Sequence, residues 1–342
     1  MAGIVFSKSS GLNDSIYGKS QEPIMAFIET RNRAKEEGSL VKEMFKMVDS
    51  KHFGEKFTSL TQLANGFQPV GEGGAYPVDE RQEGFSKFLE SDTWKDSFAV
   101  TQEMIEDNLL MDIKASATAF VDAYHLTRER YAAAFIMAAV NGGGTFRGKT
   151  IDYKSNDNVS LFSTAHPSCL DNSITQSNKF AGAFSADILA AIETRMQNFK
   201  DDNNEELTVA PTTIIIPNDA VLKKQVFEAI GADKAPETAN NGFNYLCGRY
   251  NVIVNPYLNG LLTNGDNDKP FFLFDKNYNE DYNGLLFLDR IPLTVKSYVH
   301  EGTDNNIWAG RSRFVCGAND WREIAVGGIT GGTSLASEIP AE

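Results

Sequence analysis

The sequence predicts an α+β fold organised around one long helix. Residues 101–141 run without Pro or Gly until Gly142, and Ile105, Leu109, Ile113, Ala117, Phe120, Tyr124, Tyr131 and Phe135 recur along one stripe at helical spacing. From Gly284 onward the chain turns to strand patterns, in which Leu293, Val295, Ser297 and Val299 alternate with Thr294, Lys296 and Tyr298. Between these two regions, residues 184–283 mix helical and strand patterns in an α/β unit. A helix of roughly 36 residues is about 54 Å long, against about 11–12 residues for an average globular helix. Such a rod suits a flat, extended molecule better than a compact one.

Each element follows from local chemistry. Residues 1–22 are small, polar and rich in Gly and Ser, and read as an extended arm. Residues 23–50 carry a weaker helical pattern broken at Gly38. The stretch Phe67–Glu83 clusters Gly, Pro and charge, predicting a loop or extended hairpin. Phe85, Phe88, Leu89 and Trp94 lie on its returning side, with Trp94 expected to anchor its base by packing. Gly142-Gly143-Gly144 stops the long helix, and 145–184 is a polar, irregular excursion. Ser185 is placed to cap a helix over 186–199 with Ile188, Leu189, Ile192 and Met196 inward. Thr212–Ile216 reads as a buried strand closed by Pro217, and Asn218 or Asp219 as the cap of a helix through Ile230. Tyr250–Val254 and Phe271–Phe274 are further strands. The C-terminal strands need a partner for their apolar face, and packing them on the long helix would unite both halves in one domain.

Composition narrows the function. With 342 residues, 42% of them hydrophobic, the chain can build one large core or two ordinary ones. Its net charge of −14 argues against nucleic-acid binding through a general basic face. Cys169, Cys247 and Cys316 are too few and too dispersed for a disulfide framework or a zinc cluster, which fits synthesis in a reducing cytoplasm. The first residues lack an apolar core of signal-peptide length, and no run approaches the roughly 18 apolar residues of a membrane span. A soluble, unsecreted protein is expected.

Gly143–Thr150 matches G-x-x-x-x-G-K-[ST], but phosphate binding needs a strand before that loop and a helix after it. Here a helix precedes it and a poor helix former follows, so a solvated loop is the better reading. His166 and Cys169 suggest a metal pair or a nucleophile and base, yet four histidines in the chain leave too few partners. A loop histidine bonded to backbone is expected instead. Asp275–Asn279 opens like a calcium loop and then fails, with Glu280 where Gly is required and Leu286 in place of the distal Glu. Asp266, Asn267 and Asp268 form a polar turn. Glu72, Asp79, Glu80 and Glu83 sit with Arg81 in an exposed loop, which suits intermolecular salt bridges rather than acid–base catalysis. No catalytic residue, cofactor or metal is expected.

Taken in order, these elements resemble the tailed-phage major capsid proteins of the HK97-like fold, in particular the Mu-like major head subunit group, over roughly residues 20–330. TQEMIEDNLLMDI resembles the start of the family's spine helix, and LFSTAHP (161–167) resembles a segment of the Mu-like subunits. The resemblance implies an N-terminal arm (1–65), an extended E-loop (66–100), a peripheral domain with the spine helix (101–183 and 284–342) and an axial domain (184–283). It implies a structural protein that self-assembles through pentamers and hexamers into an icosahedral head around double-stranded DNA, found in the virion after synthesis in the host cytoplasm. Scaffold, portal and decoration proteins are the implied partners; the short arm points to a separate scaffold, and no membrane is involved. Contact residues are expected at Arg31 and Arg33 in the arm and at Glu72, Asp79, Glu80 and Arg81 in the loop. Lys87 and Lys95 lie where some members crosslink, but exposed lysines are commonplace there. The alternative is an encapsulin-type compartment of the same fold, and a nucleotide-dependent enzyme is a more distant rival.

Overall fold

The computed structural model describes residues 17–60, 67–78, 83–107, 110–231, 244–262 and 269–335. The chain begins with α1 (Tyr17–Glu36), a turn at Gly38, and the short α2 (Leu40–Met44). Strand β1 (Lys46–Asp49) leads to a two-stranded antiparallel ribbon, β2 (Gly54–Leu60) and β3 (Glu83–Glu90), and then to β4 (Asp92–Val100). Helices α3 (Gln102–Glu106) and α4 (Leu110–Asn141) follow, then an irregular stretch to α5 (Ala186–Gln197). Next come β5 (Thr213–Pro217), α6 (Ala220–Gly231), β6 (Asn251–Asn255), β7 (Phe271–Phe274) and α7 (Lys276–Tyr282). The chain closes with β8 (Leu285–His300), β9 (Asn305–Ala318) and β10 (Ile324–Gly327).

Two four-stranded sheets organise these elements. The first has the order β1-β8-β9-β4, with β1 parallel to β8 and the other pairs antiparallel. The second has the order β6-β5-β7-β10, with β6 parallel to β5 and the rest antiparallel. Strand β10, expected with the other C-terminal strands, instead adds to the α/β sheet against β7. Its four residues are all buried, so this sheet reads as continuous apolar runs. The first sheet covers α4 on one face; on the other the ribbon base covers Leu286, Leu288 and Val315 and the remainder is open to solvent, hence the alternation along the first half of β9.

The long helix departs from its predicted extent at the N-terminal end. Thr101 caps α3 by accepting from the Met104 amide, and Asp107 then leaves helical geometry at φ −78°, ψ 2°. Asp and Asn compete for backbone groups through their side chains, a cost that apolar spacing does not register. At the other end Gly142 takes φ +72°, and the Gly143 amide donates to Ala138 O at 2.9 Å, closing a Schellman turn as the glycines predict. The stripe also changes character. Ile113, Ala117, Phe120 and Val121 pack on the first sheet and α1, whereas Tyr131–Ile136, Ala138 and Ala139 are buried all round. One core cluster therefore runs from Val41 to Leu335 and joins both sheets through the second half of α4.

The N-terminal region differs most from expectation. Residues 17–22, expected to be extended, are the first turns of α1, while the helical pattern read over 23–36 with its break at Gly38 is observed, and α1 lies against α4. Ile24 and Ile28 enter the apolar cluster. Beside them runs a polar ladder: Arg31 grips Asp122 with two nitrogens (2.9–3.2 Å), His125 Nε2 meets Asn32 Oδ1 at 2.8 Å, and Ser39 donates to Glu129 at 2.6 Å. The hairpin arms span 54–60 and 83–90, so the ribbon begins inside the stretch assigned to the arm. Residues 92–100, assigned to the loop, form an edge strand of the first sheet.

Candidate functional site

The ribbon is fixed at its base and bare at its tip. At the base, Leu89 is buried against Leu286, Leu288 and Val315, with Phe57 and Val48 beside it. Lys87 Nζ reaches Asp152 at 2.6 Å and Lys154 O at 2.9 Å, and Arg313 donates to Ser91 O at 3.1 Å where the chain turns into β4. Lys87 is thus buried and committed, while Lys95 is exposed. Trp94 packs between Tyr131 and Phe314, each at 5.2 Å, and anchors β4 rather than the ribbon. The anchoring role of Leu89 was not distinguishable in sequence from its apolar neighbours Phe85 and Phe88.

Residues 67–78 are exposed throughout. Phe67 (109%), Tyr76 (96%), Val78 (90%) and Val70 (49%) leave four large apolar side chains in water within one segment. Pro69 and Pro77 withhold backbone donors, and the Gly74 amide closes a turn on Gly71 O at 2.9 Å, with Gly73 at φ +79°. Scattered exposed apolar residues are ordinary, but a cluster on a projecting segment marks a contact surface. Glu72 lies within this segment; Asp79, Glu80 and Arg81 fall outside the described residues. Arg33 is exposed without an ion pair among the described residues, whereas Arg31 is held by Asp122 of its own chain.

The other motifs resolve into structure. In Gly143–Thr150, Thr145–Phe146 pair with Lys149–Thr150, while Arg147 (φ 49°) and Gly148 (φ 83°) form the two-residue turn between them. Positive φ at both positions is the signature of a type I′ hairpin, and Lys149 pairs with Asp92. No helix follows to receive phosphate. His166 is buried, with Nδ1 2.6 Å from Asp157, Nε2 3.2 Å from Asn178 and its ring stacked on Trp321 at 4.3 Å. Its partners are side chains rather than the expected backbone. Cys169 is half-buried, and Cys169, Cys247 and Cys316 form no disulfide. The Asp275 carboxylate caps α7 through the Asn277 and Tyr278 amides, which accounts for the calcium-like opening. Asp266, Asn267 and Asp268 lie outside the described residues. No metal-binding group of His, Cys, Asp or Glu occurs among the described residues, and no helix among them is long and apolar enough to cross a membrane.

Residues 85–327 match the family model described as phage capsid protein. The chain belongs to the phage capsid protein family. No curated protein matches it. Among solved structures, a chain from the procapsid of bacteriophage JBD30 aligns over 93% of this chain and 77% of its own, with TM-score 0.50 and 12% identity. A chain of Mycobacterium phage Adephagia aligns over 85% and 91% (TM-score 0.46, 14% identity), and one of the virus-like particle from Pyrococcus furiosus over 89% and 95% (0.42, 10%). The first likeness speaks for the fold, which is HK97-like. This capsid protein is therefore a shell component.

Proposed function

We propose that this capsid protein assembles with copies of itself into an icosahedral phage head enclosing double-stranded DNA, with no catalytic activity of its own. The observation that carries the proposal is the exposed apolar tip on a firmly anchored ribbon. Heterologous contacts of this kind close into rings when the rotation between copies is right. In this reading, Glu72, Asp79, Glu80 and Arg81 on the tip and Arg33 on α1 contact neighbours, and Arg31 acts through α1 by holding it to α4. The sheet β1-β8-β9-β4 with α4 forms a peripheral unit, and the sheet β6-β5-β7-β10 with α5, α6 and α7 an axial unit. Scaffold, portal and decoration proteins are separate chains, the subunit being made in the host cytoplasm and ending in the virion. An acidic shell (net charge −14) slides past packaged DNA instead of gripping it. Nothing specific favours a cargo-filled compartment.

The test is a triple variant, Phe67→Ser/Tyr76→Ser/Val78→Ser, compared with the parent by sedimentation and negative-stain microscopy. The variant is expected to stay folded, because its side chains touch nothing in the monomer, and to lose shells. Shells of normal yield from that variant contradict the assignment of the tip.

A further inference from the structure

Two short connections carry the chain between the sheets: residues 275–284 lead from β7 through α7 to β8, and residues 319–323 lead from β9 to β10. They lie against each other. The Asp275 amide donates to Glu323 O at 2.9 Å, the Asn319 amide to Gly284 O at 2.8 Å, and the Tyr278 hydroxyl to Asp320 Oδ2 at 3.1 Å. Leu285 pairs with Ala318, which sets Gly284 opposite Asn319, and directly opposite residues present their side chains to the same face. On that face the Glu323 carboxyl fills the space a side chain on Gly284 would need. Three acceptor oxygens therefore share one corner, Asn319 Oδ1 and both oxygens of Glu323. All three are buried, and none has a hydrogen-bond partner among the described residues.

Acceptors cannot satisfy one another, and a buried carboxylate without a donor is costly. One proton resolves this, because a neutral carboxyl gains an O–H donor and keeps an acceptor. We infer that Glu323 is a neutral acid whose O–H donates to Asn319 Oδ1, a proton-held clasp across the two connections that join the sheets. A divalent cation is the rival occupant. It needs about six or more oxygen ligands, whereas no group of three His, Cys, Asp or Glu able to hold a metal occurs among the described residues. The charges around Glu323 also favour a proton. Asp275 and Tyr278 face it from the start of α7, and Asp320 and Arg322 from its own connection. Arg322 is taken up by Asp320 at 3.1 Å and Asp202 at 3.5 Å. His166, bonded to Asp157, lies beyond the Trp321 ring, and Lys46 reaches Asn283 at the outer side of the other connection. Burial, and after it the Asp320 and Asp275 charges, opposes ionisation of Glu323. The clasp thus holds at low and neutral pH and opens as rising pH removes the proton. It belongs to the joint within one subunit and does not depend on the assembly reading.

Infrared difference spectra and amide hydrogen exchange on the full chain test it. At pH 6 the parent is expected to show the carbonyl stretch of a protonated carboxyl that Glu323→Gln lacks. Asn319→Leu, which removes the acceptor at similar volume, is expected to shift that band. Exchange at 276–285 and 319–324, corrected for the intrinsic effect of pH, is expected to rise at least about tenfold in the parent between pH 6 and pH 10. In Glu323→Gln, whose amide donates at every pH, the same segments are expected to change by less than about threefold. Absence of the carboxyl band in the parent at pH 6 overturns the inference, as does a Glu323→Gln variant whose exchange rises as steeply as the parent's. A band unmoved by Asn319→Leu overturns the pairing with Asn319; should that variant fail to fold, the comparison of parent with Glu323→Gln still decides. Millimolar calcium or magnesium that raises the melting temperature of the parent but not of Glu323→Gln assigns the corner to a cation and overturns the proton clasp too.

Discussion

At the residue scale, two titratable groups, one half-buried and one fully buried, set the pH response of the subunit. His125 lies between α1 and α4, facing Asn32, Lys35, Glu36, Tyr124 and Arg128. Burial, reinforced by the Arg128 and Lys35 charges, lowers its pKa to about 4. The unfolded state therefore binds a proton that the folded state refuses, and stability is lost as pH falls from about 6.5 towards 4. After screening, the loss is expected to be on the order of 2 kcal/mol. It is measured as faster proteolysis within α1 at pH 4.5 than at pH 7, and His125→Gln flattens the difference. Glu323 works the other way. Its carboxylate is fully buried, packs against Gly284 and has no hydrogen-bond partner for either oxygen. Burial, with Asp320 and Asp275 nearby, holds its pKa well above the ordinary 4.5. Its contribution to stability is present below that value and lost as pH rises. Glu323→Gln is expected to stabilise the protein by about 1–3 kcal/mol at pH 7, with the gain vanishing near pH 4 in thermal melts.

At the scale of elements, the contact between α4 and the first sheet depends on a missing side chain. A Cβ on Gly310 would lie 2.3 Å from Phe120 Cζ, and that ring is tilted against Phe98, which in turn stacks on Trp308. Gly310→Ala is expected to cost about 1–3 kcal/mol by denaturant unfolding, as overpacked cores do. The hairpin at Arg147–Gly148 gives a second expectation: millimolar ATP with magnesium leaves the melting temperature unchanged, and Lys149→Ala, losing only a partly exposed pair with Asp92, costs less than about 1 kcal/mol. An ATP-dependent shift abolished by Lys149→Ala contradicts the structural reading of that loop. These elements also mark how far the sequence could be read. The cap at Ser185, the cap read at Asn218 or Asp219, the Gly142 stop and the alternation along β8 are local chemistry, and each was legible as an element boundary or face; Asp275, which resembled a calcium-loop opening, was not legible as the cap of α7. The break at Asp107 was not, because periodicity counts apolar positions and ignores side chains that compete for backbone. The ribbon boundaries, the joining of β10 to β7 and the docking of α1 depend on contacts between residues far apart in sequence, and no spacing encodes them.

For the whole molecule, the acidic chain places unpaired positive charge on one sheet face and unpaired apolar surface on one ribbon. The loop carboxylates were visible in the sequence as charges, but the grouping of Lys95, Lys296 and Arg311 appears only when β4, β8 and β9 come together. Neither surface finds a partner within the described residues. The central claim is that these surfaces exist to build a shell. Negative-stain microscopy of the purified protein, alone and with any scaffold protein from the same genome, tests it most directly. Closed shells or capsomer rings are the predicted result. A uniformly dispersed globular monomer under both conditions contradicts the account.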